Sequence, residues 1–200
     1  GSENLNIMEM QKVERAIFDL LSALGEDVDR EGLKETPRRV ANMYAEILSG
    51  MNADPCEHLK FFDEENCDSE IVTITNIPVQ SICEHHMLPF VGDANIAYIP
   101  QKGQIIGLSK IARIVDCFAK RLQVQERLTD QVARFIYENA NVEGVIVAIE
   151  AEHLCMTMRG IKAMGSKTKT AAFYGELKDD IQKRNEALNL IRMIPVYEYI

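Results

Sequence analysis

The feature that most constrains this chain is a hydrophobic period that changes twice along it. Residues 70–78 (EIVTITNIP) and 92–100 (GDANIAYIP) have strand-length apolar and β-branched runs bounded by proline and glycine, and they predict two strands. The period then lengthens. Behind a capping Ser109, the residues Ile111, Ile114, Val115, Phe118 and Leu122 share one helical face. Val132, Phe135 and Ile136 do the same for a second helix over about 129–140. Strand character returns over 144–152 and about 167–174. A strand pair, a helix pair and a strand pair give the order ββααββ. That is an α+β layout with an antiparallel four-stranded sheet and two central helices, not a doubly wound one. Four strands leave two open edges, so pairing with other subunits, and hence a homo-oligomer, is expected.

Ahead of this unit lies helical texture. Met10, Val13, Ile17, Leu20, Leu21 and Leu24 are spaced for one helix, which Gly25 stops. A second starts at Thr36-Pro37, a cap followed by proline, carries Val40, Met43, Tyr44, Ile47 and Leu48, and ends at Gly50. Residues 51–69 are acidic and loop-like. The expected division is therefore 1–69, helices plus acidic loop, and 70–200, the main domain. The latter closes with a polar helix over about 177–193 and a tail, IPVYEYI, to which the residues assign no role.

Composition excludes several function classes. A net charge of −9 opposes a general nucleic-acid binder, which needs a broad basic surface. No apolar run approaches the ~20 residues of a membrane span, and no basic-then-apolar leader is seen, so neither membrane nor export is expected. Five cysteines, an odd number in a chain large enough to fold without staples, point to reduced thiols in the cytoplasm, serving metal binding or catalysis.

The densest chemistry is Cys83-Glu84-His85-His86, in the turn region between the first two strands, and His153-Leu154-Cys155, at the end of the third. Three of the four histidines and two of the five cysteines fall within these seven positions. If the third strand continues, alternation places His153 and Cys155 on one face. Thiolate and imidazole suit zinc best among common metals, and two cysteines with one histidine leave a fourth position for water, the pattern of a catalytic site. Either His85 or His86 fits as the ligand. Cys56, Cys67, Cys117 and His58 stand alone and read as ordinary buried or polar residues.

Positive charge clusters locally on this acidic chain. Ser109, Lys110 and Arg113 sit at the start of the first central helix, where free N–H groups favour anions. Arg159-Gly160 follows Cys155, and Arg38-Arg39 lies in the first turn of the second N-terminal helix. Together they suggest a phosphate-bearing substrate, while the lack of a Walker-type glycine loop argues against phosphate transfer. Residues 123–127 (QVQER) read as a polar turn between the central helices, from which Glu126 offers two coplanar acceptors suited to the N–H edge of guanine.

The stretches SICEHHMLPFVGDANIAYIP, IIGLSKIARIVDCFAKRLQVQERLT, AIEAEHLCMTMRGI and SKTKT, in this order, closely resemble the GTP cyclohydrolase I family. The likeness is dense over about 70–175 and looser through the helix at 36–49 and the C-terminal helix. It implies a zinc ion held by Cys83, His86 and Cys155, and proton transfer by His85 and His153. It implies ribose and guanine contacts from Gln125 and Glu126, and triphosphate contacts from Ser109, Lys110, Arg113 and Arg159, with Arg39 supplied by a neighbouring subunit. It further implies the tunnelling fold, in which ββααββ units pair edge to edge into an oligomeric barrel, typically a decamer. The implied reaction turns GTP and water into formate and 7,8-dihydroneopterin triphosphate, the first step towards tetrahydrofolate and other pterins. A regulatory protein partner is compatible with the resemblance, but no segment identifies one. After SKTKT the chain departs from the family pattern, with Tyr174 where many relatives carry a basic residue. Two other readings compete. One is a tunnelling-fold relative acting on pterins or deazaguanines, disfavoured by the CEHH and HLC pair. The other is a non-catalytic zinc-stabilised assembly module, disfavoured by the spare histidines.

Overall fold

The structure, a computed structural model, describes residues 8–64 and 70–192. The IPVYEYI tail, Met193 and Cys67 lie outside the described residues. Helix α1 (Met10–Ala23) packs on α2 (Thr36–Ile47), yet α1 buries no residue, and Leu20 and Leu24 remain 52% and 70% exposed. Helix α2 starts one residue earlier than expected, with Glu35 at the cap and Thr36-Pro37 in its first turn. The segment read as loop contains two 3₁₀ turns, Ser49–Asn52 and Pro55–His58, and strand β1 (Phe61–Asp63). These pieces are too short to show a period.

Strands β2 (Val72–Cys83) and β3 (Pro89–Pro100) each run twelve residues, longer than the sequence indicated. Pro78 does not end β2 because most of that strand's outer side has no neighbour among the described residues, and a proline on an edge loses no ladder bond. A bulge between Ile74 and Ile77 absorbs an extra residue: Asn76 takes φ 58° and its N–H donates to the Asn95 side-chain carbonyl at 2.9 Å. Strand β4 (Gln104–Ile106) pairs with β1, and α3 (Leu108–Ala119) follows. Gly107, not Ser109, occupies the cap of α3, and no side chain caps it. Leu122, placed by periodicity on the α3 stripe, belongs instead to β5 (Leu122–Gln123), which runs parallel to the end of β2. Helix α4 (Gln125–Asn139) therefore begins four residues before 129, and the supposed interhelical turn is the last residue of β5, the cap Val124 and the first three residues of α4.

Strand β6 (Val142–His153) stops at His153, and the chain winds into a helical turn, α5 (Leu154–Thr157), rather than continuing extended. Strand β7 (Thr168–Gly175) completes the main sheet, whose order is β5-β2-β3-β6-β7, five strands rather than four. The expected single polar helix is two pieces, α6 (Glu176–Asp179) and α7 (Ile181–Ile191). Between them Asp180 breaks the run, its carboxylate accepting from the Gln182 and Lys183 N–H groups at 3.0 and 3.1 Å.

Both sheet faces are buried over part of their area. Ala94, Ile96 and Tyr98 of β3, with Val145, Val147 and Ile149 of β6, face the fully buried Ile114, Leu128, Val132 and Ile136 of α3 and α4. Ala97, Ile99 and Ile146 face Leu177 and Ala187 from the last two helices. The C-terminal end of α3 is saturated from several directions. The Cys117 carbonyl accepts from Arg121 Nε at 3.2 Å, Phe118 from Gln123 Nε2 at 2.9 Å, Ala119 from Ser81 Oγ at 2.6 Å, and Lys120 from the Gly50 N–H at 2.9 Å. Only glycine fits at position 50, because a Cβ there would lie 2.0 Å from the Cys117 carbonyl oxygen.

Candidate active site

Cys83 ends β2, buried, and the chain folds back at once. The Cys83 N–H donates to the Leu88 carbonyl, and the Met87 N–H to that of Cys83, both at 2.8 Å; Met87 has φ 53°. Between these bonds Glu84, His85 and His86 project as an exposed turn. Two contacts pin the turn to the start of α4: the Glu84 N–H donates to the Gln123 carbonyl at 2.9 Å, and the Glu84 carboxylate pairs with Arg127 at 2.6 Å.

On the neighbouring strands, Phe90 and His153 are register partners whose rings stack with centroids 4.7 Å apart and planes 9° apart. Because β6 ends at His153, strand alternation does not extend to Cys155. The α5 turn places Cys155 beside Cys83 instead: burial pushes the Cys155 thiol up, the adjoining Cys83 thiol pushes it further, and Arg159 opposes both. Burial holds His153 below its ordinary value, against the pull of the nearby Glu126 carboxylate. His153 Nε2 lies 2.6 Å from Gln125 Oε1. Gln125 is itself 1% exposed, and its amide donates to the carbonyls of Ile149 and Thr168 and to Thr170 Oγ1.

Glu126, exposed in the first turn of α4, lines a cleft of about 380 Å³ with Thr129, Asp130, Thr170, Tyr174 and Lys178. Tyr174 donates its hydroxyl to Asp130, and Arg134 donates to both, at 3.3 Å to the phenol oxygen and 3.0 Å to the carboxylate. A larger hollow, about 790 Å³, lies on the opposite sheet face beside α7 and contains none of the predicted residues.

The structure thus gathers Cys83, Cys155, His153, Gln125 and Glu126. His85 and His86 are exposed on the turn, and among the described residues no three His, Cys, Asp or Glu side chains form a group disposed to hold a metal. Ser109 and Lys110 lie in the uncapped first turn of α3, with Arg113 exposed on the next, and the Gly107 N–H that precedes them is held by the Lys60 carbonyl at 3.1 Å. Arg159 is exposed just beyond α5, and Arg39 pairs with Glu35 at 3.0 Å on the outer surface of α2. Sequence reasoning passed over Phe90, Arg127 and the Thr129–Thr170 pair, which orient the others. All four stand inside the quoted family stretches, Phe90 in SICEHHMLPFVGDANIAYIP, Arg127 and Thr129 in the stretch that ends QVQERLT, and Thr170 in SKTKT, but no role was assigned to any of them.

A family model described as GTP cyclohydrolase I matches residues 13–192. GTP cyclohydrolase 1 of Carboxydothermus hydrogenoformans is 54% identical, over 92% of this chain and 96% of its own length. The protein of that name from Streptococcus agalactiae serotype Ia is 53% identical over 91% and 97%, and that of Clostridioides difficile 50% over 94% and 100%. A solved structure of the archaeosine synthase QueF-Like in the apo form aligns with TM-score 0.45 and 16% identity over 55% of this chain and 97% of its own, too remote to weigh. The matched range spans the thiol pair, the stacked histidine and the first turn of α4, and the chain belongs to the GTP cyclohydrolase I family.

Proposed function

We propose that this chain hydrolyses GTP to formate and 7,8-dihydroneopterin triphosphate, with one zinc ion per site, as the first step towards tetrahydrofolate and other pterins. The observation that carries the reading is the meeting of two thiols, Cys83 and Cys155, beside a histidine held in place and a cleft edged by Glu126. The chemistry of the two adjoining thiols fits zinc, which stabilises such donors as thiolates. Cys83, Cys155 and His86, the last on the turn three residues after Cys83, would hold it. When bound, zinc supplies Lewis acidity and a water of lowered pKa.

The remaining chemistry falls to the chain. The Glu126 carboxylate accepts from the N–H edge of guanine. His153 takes and returns protons during ring opening and the later rearrangement, and His85 assists from the turn. Ser109, Lys110, Arg113 and Arg159 receive the triphosphate, where the uncapped start of α3 adds backbone donors. Arg39 serves a neighbouring subunit's site. The curled sheet with helices layered on it fits a tunnelling-type unit, and the unpaired outer sides of β7 and most of β2 support edge-to-edge assembly, with a decamer the expected form. A cytoplasmic setting accords with the free thiols; among the described residues no helix is long and apolar enough to cross a membrane.

The test is direct. Purified protein is incubated with GTP and assayed for formate, for a fluorescent pterin after oxidation, and for zinc. About one zinc per chain is expected, lost in Cys83→Ser and Cys155→Ser and kept in His153→Ala, while His153→Ala forfeits roughly 10²–10⁴-fold of pterin formation. Glu126→Gln sets a donor against a donor and should lower catalytic efficiency by about 1–3 kcal/mol, roughly five- to 150-fold. Zinc bound without GTP turnover would mark the chain as a metal-stabilised assembly module instead.

A further inference from the structure

The hydrogen bonds around Gln125 have one consistent direction. Its side-chain nitrogen faces three acceptors: the Ile149 carbonyl at 3.1 Å, the Thr168 carbonyl at 3.0 Å and Thr170 Oγ1 at 3.1 Å. Turning the amide over would set its oxygen against two carbonyl oxygens, so the NH₂ group points there and the oxygen points at His153. The rest of the circuit agrees. Thr129 Oγ1 donates to the Gln125 backbone carbonyl at 2.8 Å, which leaves the 2.7 Å contact between Thr129 and Thr170 to the Thr170 proton and frees Thr170 Oγ1 to accept from Gln125. The hydroxyl protons of Thr129 and Thr170 are then each assigned, and the two amide protons of Gln125 are shared among its three acceptors. The group 2.6 Å from His153 Nε2 is an oxygen that carries no hydrogen, so the proton of that contact belongs to the imidazole.

From this we infer that Gln125 is a positioning residue rather than a direct substrate contact. It locks His153 as the Nε2–H tautomer, while the Phe90 stack fixes the ring plane, and Nδ1 is left as the ring nitrogen without a hydrogen. Gln125 is 1% exposed, its amide nitrogen is engaged within the chain and its oxygen faces His153, so the side chain presents no exposed group to a ribose. The inference rests on the proposed role of His153 in GTP opening for its kinetic consequence, but not for the tautomer itself.

Two measurements separate these. The full chain, labelled with ¹⁵N-histidine, is examined by magic-angle-spinning NMR at about pH 8, above the ordinary histidine value, with His153→Ala identifying the signal. A protonated Nε2 and a bare Nδ1 are expected at His153, and the opposite tautomer would overturn the inference. No variant at Gln125 is needed for this reading, so a misfolded variant cannot obscure it. Gln125→Leu is then assayed with GTP. Its kcat should fall about 10²-fold or more, with KM within roughly twofold and zinc content unchanged, because the tautomer and orientation of the His153 ring are no longer fixed. A raised KM with unchanged kcat would make Gln125 a substrate contact and overturn the inference. If the wild-type chain turns over no GTP, the proposed function fails while the spectrum still decides the tautomer.

Discussion

The α1–α2 hairpin and the α3–α4 layer are both pairs of amphipathic helices, yet they stand in opposite positions. In α3 and α4 the apolar stripes lie on the sheet, and Ile111, Ile114, Val115, Leu128, Val132 and Ile136 are wholly covered. In α1 no residue is buried, and in α2 only Ala41 is, although the stripe of each is as regular in sequence. Amphipathicity therefore says that a helix has a face to bury, but not that its own chain buries it. The central pair is held by the chain itself. The hairpin retains an apolar face that only further contacts, such as the assembly proposed above, would cover.

The sharpest break of this comparison is a pair of truncations. Ile114→Ala should cost about 2–5 kcal/mol, seen as a melting point lower by several degrees, because the sheet cannot collapse into the vacated volume. Leu24→Ala should change stability by no more than ~0.5 kcal/mol; an equal loss in both would erase the distinction. Gly50→Ala probes the joint between the two regions and should cost about 1–3 kcal/mol, since the added carbon meets a carbonyl oxygen at 2.0 Å and dislodges the N–H held by Lys120. Hydrogen exchange should then quicken in the Ser49–Asn52 turn and the end of α2 while the β3–β6 ladder stays protected. Leu20→Ser with Leu24→Ser should barely move the melting point but should shift the sedimentation coefficient downwards if α1 is covered between subunits. The smallest effect belongs to Arg39→Ala. Its ion pair with Glu35 is exposed, so stability should change by under ~0.5 kcal/mol, and a rise in KM for GTP would reveal service to a neighbour's site.

Strongly periodic elements were legible in the sequence: α1 is found where the Met10 to Leu24 spacing predicts it, and α3, α4, β3 and β6 differ only at their ends. What escaped is what periodicity does not encode. Strand β5 is two residues long and exists only because the end of β2 passes beside it. The switch from β6 to α5 after His153 follows no turn residue, so alternation was extrapolated one step too far; Cys155 reaches Cys83 by a helical turn rather than by a shared strand face. Gln125 stands in a stretch that reads as a polar turn, with a substrate contact implied by the resemblance, and its burial depends on acceptors from β6 and β7 that are distant in sequence. The cysteine and histidine clusters were visible as chemistry, but their relative placement was not.

The saturated end of α3 has a consequence for how the chain can be cut and in what order it closes. The body of that helix forms from local contacts. Its last carbonyls, however, wait for Ser81, thirty-eight positions back, and for Gly50, further back still. Closing such loops is an entropic step that grows only slowly with length, so the helix end reports when the distant segments have arrived rather than when the helix has formed. A fragment beginning at residue 70 would keep the sheet and both central helices, but water would replace Gly50 at the Lys120 carbonyl. The Arg121 turn leading into β5, and with it the strand that flanks Cys83, would then be tethered at one fewer point.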